Sequence, residues 1–178
     1  MLVLVGESAS GKSSIEKYLV DNCGYKKIVS YTTRQPREGE VDGVDYHFID
    51  KSKFRRLKEQ EFFAETAVYN DWYYGVAKKD CTDDKVAVLT PHGLRQVAKI
   101  DGINIISFYI NVPRRDRLIK ILQRGDSIEE SYRRNLSDVG MFDGIWDEVD
   151  YVINNNGYNK SIAEMSKEVL HLALTHNN

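Results

Sequence analysis

Gly6-Glu7-Ser8-Ala9-Ser10-Gly11-Lys12-Ser13 is the stretch that most limits what this chain can become. It has the spacing G-x-x-x-x-G-K-[ST], a phosphate-binding loop set between a strand and a helix. The flanks comply. Leu2-Val3-Leu4-Val5 is short and wholly apolar, as a buried strand is, and Ile15, Tyr18 and Leu19 share one face at helical spacing. Gly6 and Gly11 permit backbone angles that turn successive N–H groups inward onto an anion. The helix opening near Lys12 adds the partial positive charge of its N-terminus. The loop, with Ser14 behind it, is therefore a binding site for a nucleoside triphosphate. Lys12 reaches the β- and γ-phosphates as the catalytic cation, and the Ser13 hydroxyl is the protein ligand to the Mg²⁺ that bridges them. A turn using glycines for geometry alone would not need Lys12 and Ser13 as well.

Further along, Lys27 to Ser30 reads as a second strand, and the polar run from Tyr31 alternates into another strand before Ile49. Asp50 or Ser52 caps a helix through about Gln60. Phe62 to Val76 reads as two antiparallel strands turning at Asn70-Asp71. Val86 to Thr90 is a strand broken at Pro91 and followed by a helix through Lys99, and Ile103 to Ile110 is a further strand. Pro113 opens a helix through Gln123 that Gly125 ends. A charged helix from Ser127 to about Val139, a strand from Val149 to Ile153 and a helix from Ser161 to Leu170 complete the chain. Strands alternating with helices give an α/β fold: a parallel sheet flanked by helices, with a small antiparallel insertion and, in the mixed-sign helix beside glycines, a helical lid. The expected division of this single domain is a core of residues 1–32, 86–123 and 141–178, an insertion of 33–85 and a lid of 124–140.

Composition narrows the partners. A chain of 178 residues with 42% hydrophobic and 29% charged residues can bury one sizeable core. A net charge of −2 provides no basic excess for a nucleic-acid backbone. Cys23 and Cys81 form neither a C-x-x-C nor a metal-binding spacing, which suits free thiols in a reducing compartment. No leader-like opening and no apolar run long enough to span a membrane is visible. These features predict a cytoplasmic protein with small-molecule partners, monomeric or homodimeric, engaging neither membrane nor nucleic acid.

Arg34, Arg37 and Tyr46 form a second group of anion-binding character, two planar guanidinium forks and a phenol at a spacing that suits one phosphate. Two solvated arginines and a half-buried strand tyrosine would look the same in isolation. The surrounding pattern, Thr32-Thr33-Arg34-x-x-Arg37-x-x-Glu40-x-x-Gly43-x-x-Tyr46-x-Phe48, resembles the signature of guanylate kinases at every position. The likeness extends to Tyr73-Tyr74-Gly75, Arg124-Gly125 and Val152-Ile153-Asn154-Asn155. It implies ATP-dependent, Mg²⁺-assisted phosphorylation of GMP, with dGMP as a related acceptor. By this resemblance Arg34, Arg37, Tyr46 and Tyr74 hold the acceptor phosphate, and Ser30 and Glu65 face its base. Arg34 and Arg124 join Lys12 in catalysis, Arg124 swinging in from the lid, and Asn155 lies near the donor adenine. Glu65 suits guanine independently, because one carboxylate accepts both adjacent donors, N1–H and the 2-amino group.

Four positions depart from the family pattern. Val76 stands where a Ser or Thr touches the base, Val88 and Thr90 stand where Asp is usual, and Asn135 stands where Arg is usual. Val76 and Thr90 remain the residues placed at the acceptor base. The alternatives are a kinase for another or modified nucleoside monophosphate, or a catalytically weak binding domain of the same fold. The intact Lys12 and Ser13 favour an enzyme.

Overall fold

The computed structural model describes residues 1–69, 71–123 and 128–176. Within them β1 (Leu2–Val5), β2 (Lys26–Lys27), β7 (Lys85–Val88), β8 (Ile106–Asn111) and β9 (Tyr151–Asn154) form one sheet in the order β2-β7-β1-β8-β9. Every pairing in it is parallel, with Leu2 opposite Val86 on one side and Ile106 on the other. Alternation along β1 sends Val3 and Val5 to one core, with Ala87, Leu94 and Tyr109, and sends Leu2 and Leu4 to another, with Ile15, Phe108 and Met165. Both faces are covered, which is why β1 reads as an unbroken apolar run.

The helices follow their caps. α1 (Lys12–Cys23) begins after Gly11 and stops at Gly24, both in the left-handed region. α2 (Lys51–Glu59) is capped by Asp50, whose carboxylate accepts from the Lys53 N–H. α3 (Pro91–Val97) carries Pro91 in its first turn, and α4 (Arg114–Gln123) and α5 (Ile128–Asp138) follow β8. α6 (Ile162–Thr175) opens on a capping box between Ser161 and Glu164. Among the described residues no helix is long and apolar enough to cross a membrane.

A second sheet has the order β4-β3-β6-β5, built from β3 (Tyr31–Thr32), β4 (His47–Phe48), β5 (Phe63–Tyr69) and β6 (Trp72–Ala77). β5 and β6 are the expected antiparallel hairpin, but β4 runs parallel to β3. Ala64 and Val76 from this sheet join Val3, Val5 and Ala87 in one core, so the two sheets share packing.

Two expectations need correction. The strand at Lys27–Ser30 shortens to Lys26–Lys27, because the chain leaves β7 after Ile28 and re-pairs in the second sheet from Tyr31. That sheet therefore begins two residues inside the stretch assigned to the core. The strand before Ile49 contracts to His47–Phe48, because side chains impose a turn there: Asp45 accepts the Val41 N–H and Asp42 the Phe48 N–H, each at 2.8 Å. The Gly125 helix stop, the start of the next helix at Ser127 and Asn70 of the hairpin turn lie outside the described residues.

Candidate active site

The phosphate loop rises from β1 on contacts that leave no room for larger residues. A Cβ on Gly6 would lie 2.7 Å from Ser10 Oγ and 2.8 Å from the Ile110 carbonyl. The loop closes on itself: Ser10 N–H donates to the Glu7 carbonyl at 3.2 Å, and Lys12 Nζ donates to the same oxygen at 2.7 Å. Tyr158 Oη donates to the Ala9 carbonyl at 2.9 Å and braces the outer side. Ser13 and Ser14 are exposed in the first turn of α1. The Glu7 carboxylate turns away from the anion site, accepting from Tyr109 Oη at 2.9 Å and from Arg117 Nη2 at 3.1 Å. Burial, reinforced by that bond to Glu7, pushes the Tyr109 phenol up from its ordinary value.

Arg117 is a residue that sequence reasoning missed. It is 5% exposed and also donates to the Val112 carbonyl. Within a charged helix one arginine looks like another, yet Arg117 and Ile121 are the buried residues of α4. An arginine in register with an apolar stripe was the available signal.

Opposite the loop is a cavity of about 300 Å³ whose walls include Ser13, Ser30, Tyr46 and Val76, four residues expected at the site. Arg34 stands beside it at 7% exposure, its guanidinium 5.4 Å from the centre of the Tyr46 ring. The Tyr46 and Tyr74 rings meet nearly edge to face at 6.1 Å. Arg34 Nη2 donates to Glu40 Oε1 at 2.8 Å, while Glu40 Oε2 accepts the Arg37 N–H at 2.7 Å. One carboxylate thus spaces both arginines, leaving Arg37 exposed and Arg34 fixed. The Glu40 bond holds Arg34 above its ordinary range and draws Glu40 below its own.

Glu65 pairs across the hairpin with Val76, so the two side chains share a face. At 7% exposure it makes no side-chain hydrogen bond among the described residues, and burial pushes its carboxyl up to about 7. A Cβ on Gly93 would lie 3.1 Å from Glu65 Oε2, so the glycine of α3 keeps that space open. Thr90, expected at the acceptor base, stands at the start of α3. Its hydroxyl accepts the Gly93 N–H at 3.1 Å and caps α3. Val88 contributes an apolar wall to the cavity.

The structure does not bring Asn155 to this cavity. It is 1% exposed, and its amide both donates to and accepts from the backbone of Lys160, bracing the loop after β9. Arg124 lies outside the described residues. A further cavity of about 600 Å³, bordered by Glu7, Arg117, Asn135, Asp138 and Trp146, lies between α5 and the phosphate loop. There Arg114 Nη2 donates to Asn135 Oδ1 at 2.6 Å. Glu16 was also missed: it lines the smaller cavity beside Ser13, and burial raises its carboxyl to about 6. Its helical register with Ser13 was the signal.

The family described as guanylate kinase matches residues 1–172. The chain is 32% identical over 171 residues to the guanylate kinase of Paramagnetospirillum magneticum, spanning 92% of this chain and 80% of that one. It is 30% identical over 182 residues to the enzyme of Helicobacter pylori (strain 26695), spanning 96% and 88% respectively. A guanylate kinase crystal structure from Anaplasma phagocytophilum shares the fold with a TM-score of 0.68 at 24% identity, over 99% of this chain and 85% of that one. The YorR protein of Bacillus subtilis, solved with phosphorylated GDP, shares it at 0.57 and 14% identity, over 100% and 99%. With Ser13 of its phosphate loop and Tyr46 of its acceptor cluster lining one cavity, the chain belongs to the guanylate kinase family of nucleoside monophosphate kinases.

Proposed function

We propose that this chain transfers the γ-phosphoryl group of ATP to GMP, forming ADP and GDP, and accepts dGMP as well. The observation that carries this reading is the shared cavity, with Ser13 of the phosphate loop on one wall and Tyr46 of the acceptor cluster on another. Two phosphates bound to those groups face each other, and transfer then needs alignment and charge neutralisation rather than covalent help. Lys12 neutralises charge on the moving group, while Arg34, Arg37, Tyr46 and Tyr74 hold the acceptor phosphate. Glu65, desolvated and without a partner among the described residues, suits the paired donors of guanine. Arg124 and Asn155 are assigned to the donor side by family pattern, Asn155 by shaping its loop. The segments 33–85 and 124–140 close over the substrates and exclude water.

The donor set fits Mg²⁺ carried with the nucleotide. Among the described residues no three His, Cys, Asp or Glu side chains gather into a cage, and Mg²⁺ ordinarily keeps waters and substrate phosphates as most of its ligands. Ser13 would hold it from the protein side. Once bound, the ion would neutralise charge developing on the phosphates.

A looser choice of acceptor is favoured by Val76 and Val88, which give the cavity apolar walls. A coupled ADP-release assay with GMP, dGMP, IMP and AMP tests both readings. GMP and dGMP should lead by a wide margin; equal use of AMP would discard the guanine assignment.

A further inference from the structure

We propose that Glu16, from the second turn of α1, orients the water shell of the divalent cation that enters with ATP. The inference rests on the phosphotransferase reading above. Ser13 and Glu16 are three residues apart on one helix, so they share a face with Cβ atoms about 5–6 Å apart. Helical side chains lean towards the helix N-terminus, which tilts Glu16 towards Ser13 and the phosphate loop. Both line the same cavity. A cation about 2.1 Å from the Ser13 hydroxyl, with a coordinated water donating over about 2.7 Å, lies within a glutamate's reach at that separation.

Among the described residues no other carboxylate on these walls is unengaged. The Glu16 carboxylate is half-buried and makes no hydrogen bond or ion pair among the described residues; Lys27 steadies its charge from a distance. The end of β7 presents Val88 to the cavity, and the Thr90 hydroxyl beyond it is engaged in capping α3. Asp45, the other carboxylate of the cavity, accepts the Val41 N–H. An unpartnered carboxylate in a confined space is costly to keep unless a cation or a coordinated water meets it. The helix thus supplies the acid that the strand lacks.

The test is equilibrium binding of β,γ-imido-ATP as a function of Mg²⁺ concentration in wild type, Glu16→Gln and Glu16→Gln/Val88→Asp. Removing a carboxylate that orients a metal's water should raise the half-effective Mg²⁺ concentration about tenfold, with metal-free analogue affinity and GMP affinity unchanged. Water-proton relaxation by Mn²⁺ in the analogue complex should change in parallel. The carboxylate introduced by Val88→Asp, on the strand facing the same cavity, should restore most of the loss. Glu16→Gln is isosteric and relieves a buried charge, so the fold should survive. An unchanged Mg²⁺ dependence in Glu16→Gln, or a loss confined to GMP affinity, would overturn the assignment. Wild type that fails to bind the analogue at all would overturn the phosphotransferase reading itself.

Discussion

The backbone N–H of Ser8 donates to Asp138 Oδ2 at 2.9 Å, so a carboxylate of α5 rests on the phosphate loop. Arg117 spans the same junction, 3.1 Å from Glu7 Oε1 and 3.6 Å from Asp138 Oδ2. The helix expected to act as a lid is thereby tied to a donor of the anion site, with one negative charge beside the path of a triphosphate. Asp138→Asn removes that charge and leaves Arg117 with Glu7. Weighing about 1 kcal/mol for a solvent-screened charge at contact range, ATP should bind roughly fivefold more tightly. Isothermal titration with β,γ-imido-ATP checks this. A weaker complex would mean that Asp138 chiefly positions Arg117.

Lys12 spans the Glu7 carbonyl and Ser10 Oγ inside the loop and faces ligand rather than core. Lys12→Ala should therefore keep its melting temperature within a few degrees while kcat falls by roughly two to three orders of magnitude, the scale of losing one preorganised charge contact. Retained kcat would remove the phosphate loop from the mechanism.

Arg34 and Arg37 look equivalent in sequence and are not equivalent in place. Arg37 is exposed, so Arg37→Ala should raise the KM for GMP about ten- to a hundredfold with stability unchanged. Arg34 is buried against Glu40 and the Tyr46 ring. Arg34→Ala leaves that carboxylate without its partner and should lower the melting temperature as well as GMP affinity. Parallel melting curves and KM values for both substrates separate the two, and a change in the KM for ATP as large as that for GMP would place the arginines elsewhere.

Thr90 allows a restoration that the fold tolerates. Asp is as good a cap as Thr, so Thr90→Asp should preserve the bond to the Gly93 N–H. Combined with Val76→Ser, it should strengthen GMP binding while leaving helix content untouched. Circular dichroism and the KM for GMP report the two halves. Unaltered GMP affinity would show that these positions do not reach the base.

Much of this was legible in the chain because local rules and tertiary context agree. The loop between Val5 and Lys12, the Ser161 cap and the Phe63–Ala77 hairpin each carry a short-range signal that packing leaves intact. The misses are residues whose role depends on what folding brings near. Arg117 and Glu16 are ordinary helix residues until Glu7 and the cavity approach them. Thr90, expected at the acceptor base, also caps α3 through the Gly93 N–H, a use its sequence position alone does not separate from the first. Asn155, expected near the donor adenine, has its amide held by the Lys160 backbone, a contact its local sequence does not announce.

The last prediction concerns Glu65, whose burial works against stability and for recognition. Its carboxyl rises from 4.5 to about 7, so the folded chain holds this proton more tightly than the unfolded chain does. Stability attributable to this group is therefore greatest below pH 4.5 and declines as pH climbs through the window to about 7. The full cost above that window is on the order of 3 kcal/mol. Glu65→Gln should remove the decline and stabilise the protein at neutral and higher pH, read by urea unfolding across the window. Binding runs the other way. Guanine's N1–H and 2-amino donors need the charged carboxylate, so the KM for GMP should fall as pH rises towards 7 in wild type. In Glu65→Gln it should be high and flat. AMP offers no donor at N1 and would leave the carboxylate desolvated and unmatched, at a cost above the roughly 1–3 kcal/mol of a neutral unsatisfied group, so it should be rejected throughout. A KM for GMP that ignores pH in wild type, with unfolding curves that coincide for the two proteins, would take Glu65 out of base recognition.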